Sequence, residues 1–114
     1  MSDCLFCKII NGDIPSKKVY EDDKIFAFYD IDPQAPVHFL VVPKEHISSA
    51  LEINESNADI VGYIFTKIGD LAREMGFSEK GYRIVNNCGE NACQTVKHMH
   101  YHVMGGDKLS ERMA

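Results

Sequence analysis

The most regular alternation of apolar and polar residues lies between Ser56 and Gly76. Apolar side chains recur there every three or four residues, the spacing that places them on one face of an α-helix. They are Ala58, Val61, Ile64, Phe65, Ile68, Leu71, Ala72 and Met75. Ser56 is placed to cap the amino end, and Gly76 to stop the helix, because glycine readily adopts the left-handed conformation found after helices. The pattern predicts one long helix that covers a core.

Shorter apolar runs predict strands. Residues 25–31 are rich in aromatic and β-branched side chains, and the DPQAP segment after them predicts a turn. Residues 37–44 are apolar at successive positions, which is typical of a central strand buried on both faces, and Pro43 ends it. Two more strands are predicted at residues 81–87 and 96–104, on either side of a loop.

The amino-terminal segment CLFCKIINGDIP predicts a short helix or turn that stops at Gly12, and Pro15 begins an extended segment. With four or five strands, one long helix and short connections, we expect a single α+β domain over residues 1–114. Its centre would be an antiparallel sheet of about five strands. A chain of this length can bury its own core without disulfides.

Charge and hydropathy argue against several classes of function. The formal net charge is −5 at pH 7 and no window is rich in lysine and arginine, so a nucleic-acid partner held by a basic patch is not expected. The longest apolar runs, such as FLVV at residues 39–42, are too short to span a bilayer, so no membrane partner is expected. The first ten residues lack the pattern of a secretory signal, which predicts a cytoplasmic location. In that reducing compartment, the four cysteines are more often thiols or metal ligands than disulfides.

Three histidines alternate with apolar residues near the end of the chain: His98, His100 and His102, in the segment KHMHYHVMGG. A period of two places them on one face of a strand, with successive imidazoles about 6.5 Å apart and the outer pair about 13 Å apart. A zinc ion, with nitrogens at about 2 Å, does not easily bind all three from one straight strand, so at least one imidazole is available for other chemistry. The residues between and after them would face the core: Met99, Tyr101 and Val103.

Cys4 and Cys7 form a C-x-x-C motif, which is half of a zinc site or a redox pair. A thioredoxin-like dithiol follows a strand, and no strand is predicted before Cys4. A zinc site needs two further ligands, and the sequence leaves a Cys2His2 set and a Cys4 set open. The candidates are His46, His98, Cys88 and Cys93. Cysteines that simply pack in the core are the third interpretation.

The segment HMHYHVM fits the pattern His-φ-His-φ-His-φ-φ, with φ apolar, and so resembles the histidine triad (HIT) superfamily. The similarity extends to CLFCKIINGDIPS, AFYDIDPQAPVHFLVVPKEHI, GYRIVNN and QTVKHMHYHVMGG, and it points to the HINT-like nucleoside phosphoramidases of the zinc-containing type. The resemblance implies hydrolysis of nucleoside 5′-phosphoramidates, that is, of purine nucleoside monophosphate conjugates, by a homodimer with one structural zinc per chain. It leaves two alternatives: a dinucleoside polyphosphate hydrolase or nucleotidyltransferase, and a zinc-stabilised nucleotide-binding adaptor with little turnover.

The resemblance also implies the catalytic roles. His100 would attack the α-phosphorus and form a nucleotidyl-histidine, a task for which imidazole is suited because it is largely neutral near pH 7. His102 would contact the same phosphate and assist the leaving group. Thr95 would form a hydrogen bond with the leaving atom. His38 would orient the catalytic imidazole from the second layer of contacts.

The remaining implied roles concern the nucleotide and the metal. Asp30 would accept both ribose hydroxyls, although a carboxylate before IDP could equally form an Asx turn. The base would lie against Ile31, Phe6 and Phe28. The phosphate loop would use Asn87, Cys93, Gln94 and Thr95, together with backbone N–H groups. Zinc would be bound by Cys4, Cys7, His46 and His98.

Two positions depart from the pattern of the family. Ala92 and Cys93 stand in the phosphate loop where many relatives have glycine, so side chains there could crowd the phosphate. Asp107 follows the paired glycines where many relatives have arginine. These departures bear on the shape of the loop and on the preference for a leaving group.

Overall fold

The computed structural model describes residues 4–112 and contains one five-stranded antiparallel sheet with the strand order β1-β2-β3-β5-β4. The strands are β1 (Lys18–Glu21), β2 (Ile25–Tyr29), β3 (Val37–Pro43), β4 (Arg83–Val85) and β5 (Tyr101–Gly105). The helices are α1 (Leu5–Ile10) and α2 (Asp59–Met75), with short 3-10 turns at Ala50–Glu52 and Glu90–Ala92. The predicted α+β fold, with one long helix and a short amino-terminal one, is confirmed.

The sheet separates two apolar clusters, because successive side chains of a strand point to opposite faces. On the face that packs against α2, the strands contribute Ile25, Ala27, Phe39 and Val41. On the face that packs against α1, they contribute Phe26, Phe28, Leu40 and Val42. Both faces of β2 and β3 are therefore covered, which explains why these two strands are apolar at nearly every position. β3 is central, as predicted, and pairs with both β2 and β5.

The long helix buries only part of its predicted face, since Phe65 and Met75 are exposed, and it lacks its predicted cap. Ile64, Ile68, Leu71 and Ala72 are buried, and Gly76 ends the helix with a positive φ of 86°. The prediction that Ser56 caps the amino end is wrong. The helix begins at Asp59, its cap position forms no side-chain hydrogen bond, and the Ser56 hydroxyl donates to Asn54 Oδ1 at 2.6 Å. Its hydroxyl is thus used in the preceding turn.

The last strand starts later than predicted. β5 begins at Tyr101 rather than near residue 96, so His98 and His100 lie before the strand. The backbone N–H of Met99 donates to the carbonyl of Ile47 at 2.6 Å, and Ile47 lies outside the strands of the sheet. The predicted alternation still holds on the core side, where Met99, Tyr101 and Val103 are buried. In the described part of the chain, the helices are too short or too polar to cross a membrane.

Candidate functional site

A cluster of sulfur and nitrogen atoms joins α1 to the segment before β5. Cys4 Sγ lies 3.3 Å and Cys7 Sγ 3.6 Å from His98 Nδ1, and His46 Nδ1 lies 3.4 Å from Cys7 Sγ and 3.2 Å from His98 Nδ1. Tetrahedral zinc with sulfur at about 2.3 Å and nitrogen at about 2.05 Å would separate N from N by about 3.3 Å and S from N by about 3.6 Å. The four donors therefore fit zinc.

Local structure aims these donors at one point. Cys4 is the cap of α1 and its sulfur accepts a hydrogen bond from the Cys7 N–H at 3.4 Å, so both sulfurs lie at the same end of the helix. His98 is fully buried, and its Nε2–H donates to the Pro43 carbonyl at 2.8 Å. Because a neutral imidazole has one N–H and one lone pair, this bond leaves the Nδ1 lone pair of His98 directed at the sulfurs.

The alternative set of four cysteines is not assembled. Cys88 and Cys93 are exposed and belong to neither group of three or more potential metal ligands found within residues 4–112. The structure brings together the two-cysteine, two-histidine set.

His100 lies beside this cluster and has a fixed tautomer. Its Nδ1 is 2.8 Å from the carbonyl of His98, so Nδ1 carries the proton and Nε2 carries the lone pair. The ring of Phe6 packs edge-on against it, with centroids 5.0 Å apart. Burial lowers the pKa of His100, although the bond to His98 opposes this shift. The result is a neutral imidazole whose Nε2 is available as a nucleophile.

A second group links Asp30, His38 and His102. The Gln34 N–H donates to His38 Nδ1 at 3.0 Å, so Nδ1 holds the lone pair and the proton of His38 lies on Nε2. His38 Nε2 is 3.0 Å from His102 Nδ1 and 3.4 Å from Asp30 Oδ2. The donor atoms of these three residues are close enough to hold a metal. However, a nitrogen that carries a proton cannot bind a metal, so we interpret this group as a hydrogen-bonded relay.

The relay determines which ring nitrogen of His102 carries the proton. Burial, followed by the neighbouring His100 and His38, lowers the pKa of His102 to about 4. Burial also lowers the pKa of His38, against the opposing effect of Asp30 and Asp32. Neutral His102 accepts from His38 at Nδ1, and its own proton is therefore on Nε2. Its ring centroid is 5.2 Å from that of His100, so a hydrogen-bond donor stands next to a nucleophilic nitrogen.

The structure shows the surroundings of two further residues of the predicted site, His38 and Thr95. The side chain of His38, expected to orient the nucleophile, forms its hydrogen bonds with Gln34 and His102. Gln34 was absent from the predicted site, because its contribution is a backbone N–H that no side-chain pattern reports. Thr95 is exposed and borders an open pocket of about 530 Å³ together with Cys4 and His46, on the side of the metal ligands.

The residues expected at the nucleoside differ in exposure. Asp30 Oδ1 accepts the Asp32 N–H at 2.8 Å, which is the Asx-turn bond, and Oδ2 faces His38. Ile31 is fully exposed. Phe6 and Phe28 are buried and pack edge to face with centroids 5.5 Å apart. These residues thus comprise one fully exposed apolar side chain, a part-buried carboxylate and a buried aromatic pair.

The side chains of the predicted phosphate loop brace the loop itself. Asn87 Nδ2 donates to the Ala92 carbonyl at 2.9 Å. Gln94 accepts the Gly89 N–H at 2.9 Å and donates to the carbonyls of Ser48 and Val96. Cys93 has a positive φ of 62°, a conformation that favours glycine and costs a side chain about 1 kcal/mol. Asn87 and Gln94 therefore fix the loop in a shape that the backbone alone would not hold.

The sequence pattern of the HIT domain matches residues 11–109, which contain all five histidines described above. The chain belongs to the HIT family. As a HIT protein it shares its fold with a histidine triad protein from Clostridium difficile, which is 51% identical with a TM-score of 0.95, the alignment covering 98% of this chain and 97% of that chain. A HIT family hydrolase from Clostridium thermocellum is 47% identical with a TM-score of 0.95, and the alignment covers 100% of this chain and 99% of that chain.

One relative of this HIT protein bears on the metal cluster. A 14 kDa zinc-binding protein of Zea mays is 41% identical over 111 residues, which cover 96% of this chain and 86% of the relative.

Proposed function

We propose that this HIT protein is a hydrolase of nucleoside 5′-phosphoramidates, with purine nucleoside monophosphate conjugates as substrates and His100 as the nucleophile. The observation that carries the proposal is the hydrogen bond from His100 Nδ1 to the His98 carbonyl at 2.8 Å, because it leaves Nε2 unprotonated in a buried imidazole. Membership of a family that includes a protein named as a hydrolase supports the reaction class.

The reaction would run in two steps. His100 Nε2 attacks the α-phosphorus, the P–N bond to the amine breaks, and the amine leaves with a proton taken from solvent. Positive charge on the His100 ring is stabilised by the His98 carbonyl, and His102 donates its Nε2–H to a phosphoryl oxygen where negative charge grows. Water then attacks the phosphorus and gives a proton back to solvent, the P–Nε2 bond breaks to regenerate neutral His100, and a nucleoside 5′-monophosphate such as AMP is released.

In this proposal the other site residues hold the substrate. Asp30 accepts ribose hydroxyls, and the base lies over Ile31 and the floor formed by Phe6 and Phe28. Asn87, Cys93 and Gln94 keep the loop in position so that its backbone N–H groups meet the phosphate. Thr95 binds the leaving group at the edge of the loop.

We also propose one structural zinc per chain, bound by Cys4, Cys7, His46 and His98. The ion would supply a cross-link between α1 and the segment that precedes β5. Because two of its ligands, Cys4 and Cys7, must be thiolates, the protein would work in a reducing compartment, which we propose to be the cytoplasm. A homodimer is proposed as well, since β4 lies at the edge of the sheet and Phe65 of α2 is half exposed; sedimentation velocity would test it.

His100→Ala tests the reaction. The variant should keep its zinc and its melting temperature near those of the unmodified protein, yet lose on the order of 10⁴-fold or more of its turnover of adenosine 5′-phosphoramidate. Mass spectrometry of acid-sensitive adducts on the unmodified protein, quenched during turnover, should find a nucleotidyl group on the His100 peptide. Substantial hydrolysis by the variant would remove the nucleophile assignment.

A further inference from the structure

The nucleophile lies just beyond the end of the ladder between the last two strands. β4 and β5 pair from Arg83 opposite Met104 to Val85 opposite His102, and the regular pairing stops there. His100 is two residues outside it, in a stretch that is not part of the strand. Its main chain must therefore be held by contacts other than the sheet.

Asn86 supplies one of these contacts. It directly follows the last residue of β4, it is half-buried, and its Nδ2 donates to the backbone carbonyl of His100 at 2.8 Å. The side-chain amide thus links the two chain segments beyond the last backbone pair of β4 and β5. On the other side of the same segment, the Met99 N–H donates to the Ile47 carbonyl.

One of these bonds and the bond of the ring to His98 hold His100 at two points, its main chain and its imidazole. The ring is tied through Nδ1 to the His98 carbonyl, and the main chain that carries the ring is tied through its oxygen to Asn86. Attack on phosphorus requires Nε2 to be held close to its target, and displacement by about 1 Å can reduce a rate by about 10²-fold. An anchor on the main chain of the nucleophile therefore bears directly on the rate.

We propose that Asn86 is a positioning residue that sets the attack geometry of His100 without touching the substrate. This inference rests on the proposed function for its rate effect. The neighbouring Asn87 has a different task, because its amide donates to the Ala92 carbonyl inside the loop. Adjacent asparagines thus serve the nucleophile and the loop separately.

The test compares Asn86→Leu and Asn86→Asp with Asn91→Asp. Leucine branches at the same carbon as asparagine but is larger and has no donor, and aspartate keeps the shape but turns an acceptor toward the carbonyl. Asn91 is exposed in the 3-10 turn of the same loop, and its substitution serves as the matched control. Single-turnover formation of the His100 adduct should slow by about 10- to 100-fold in both Asn86 variants, more so with aspartate, while the affinity for AMP changes less than about two-fold.

A second measurement does not depend on turnover. The Phe6 ring, 5.0 Å from the His100 ring, shifts the Cε1–H NMR signal of His100, so that signal reports where the imidazole lies. It should move or broaden in the Asn86 variants and stay unchanged in Asn91→Asp. If the unmodified protein forms no adduct, the proposed function fails, and the NMR signal alone decides the role of Asn86. An unshifted His100 signal, or unchanged adduct formation in a protein that does form adducts, overturns the inference.

Discussion

Two groups of side chains in this HIT protein look alike by distance and differ in chemistry. The metal cluster, that is, the four side chains proposed to bind zinc, consists of Cys4, Cys7, His46 and His98, and the relay consists of Asp30, His38 and His102. In each group the donor atoms all lie within 4.8 Å of one another. Proximity alone would mark both as metal sites.

The difference lies in the backbone groups around each ring. The Pro43 carbonyl takes the Nε2 proton of His98, which turns a lone pair inward toward the sulfurs. The Gln34 N–H occupies Nδ1 of His38, which turns a proton inward toward His102. The backbone acceptor at Pro43 thus leaves His98 able to bind a metal, and the backbone donor at Gln34 leaves His38 able to donate a hydrogen bond. His100 joins the two groups, since it donates to the His98 carbonyl and its ring packs against that of His102.

The largest effect should come from breaking the metal cluster. His98→Ala should reduce zinc from about one per chain to nearly none and lower the free energy of unfolding by roughly 3 kcal/mol or more, about 10 °C in Tm. Because His98 is fully buried, part of this loss would reflect a cavity. His46→Ala removes an exposed ligand and leaves no such cavity, so its loss isolates the metal. Elemental analysis and thermal melts check both.

The control for this prediction is the pair of remaining cysteines. Cys88→Ser combined with Cys93→Ser should retain the zinc, because neither belongs to the cluster. Zinc that survives in His98→Ala but is lost in the double cysteine variant would show that the ligands have been misassigned.

Breaking the relay should reduce the rate and spare the metal. His38→Leu removes the Nε2–H that fixes the tautomer of His102, so the proton of His102 can move to Nδ1 and present a lone pair to the phosphate. We expect kcat for adenosine 5′-phosphoramidate to fall by about 10²-fold, with zinc content unchanged. Steady-state kinetics and metal analysis on the same preparation provide the measurement. A parallel loss of zinc would mean that the two groups are not separable.

How much the sequence could predict differs between the fold and the site. The helical period around Ile64 and Ile68 and the apolar runs of β2 and β3 predict these elements, because the spacing of apolar residues along the chain shows which face of an element is buried. The start of β5 could not be read in this way. Histidines and apolar residues alternate from His98 onward, but the backbone N–H of Met99 donates to Ile47, 52 residues earlier in the chain and outside the strands, and β5 begins only at Tyr101. Non-local pairing leaves no local pattern.

The site shows the same division. Donor side chains such as Cys4 and Cys7 could be proposed from their spacing and from family resemblance. The tautomers of His38 and His98 could not, because the backbone groups of Gln34 and Pro43 set them, and every residue type offers a carbonyl. The capping role given to Ser56 failed for a related reason, since Asn54 competes for its hydroxyl.

Acid should weaken the folded state through the relay, by less than the loss of zinc does. The pKa of His102 falls from 6.5 to about 4, chiefly through burial and then through His100 and His38. Between these two values the unfolded chain binds the proton more tightly, so stability is complete above pH 6.5 and declines as the pH falls toward 4. This contribution amounts to at most about 3 kcal/mol. Urea unfolding of His102→Gln should show a shallower loss of stability with falling pH than that of the unmodified protein; identical slopes would contradict the shifted pKa.

The last prediction expects no change at all: the relay should bind no second metal ion. Apoprotein titrated with Co²⁺ should take up one equivalent, with the visible absorption of a tetrahedral site containing thiolates, because His98 presents a lone pair to Cys4 and Cys7. The relay offers a protonated Nε2 on His38, and binding there would require the Gln34 N–H to face an Nδ1–H. Asp30→Asn should therefore leave the stoichiometry at one. A second equivalent that disappears in Asp30→Asn would show that cobalt displaces the proton of His38, and the distinction between the two groups would then be one of affinity rather than of tautomer.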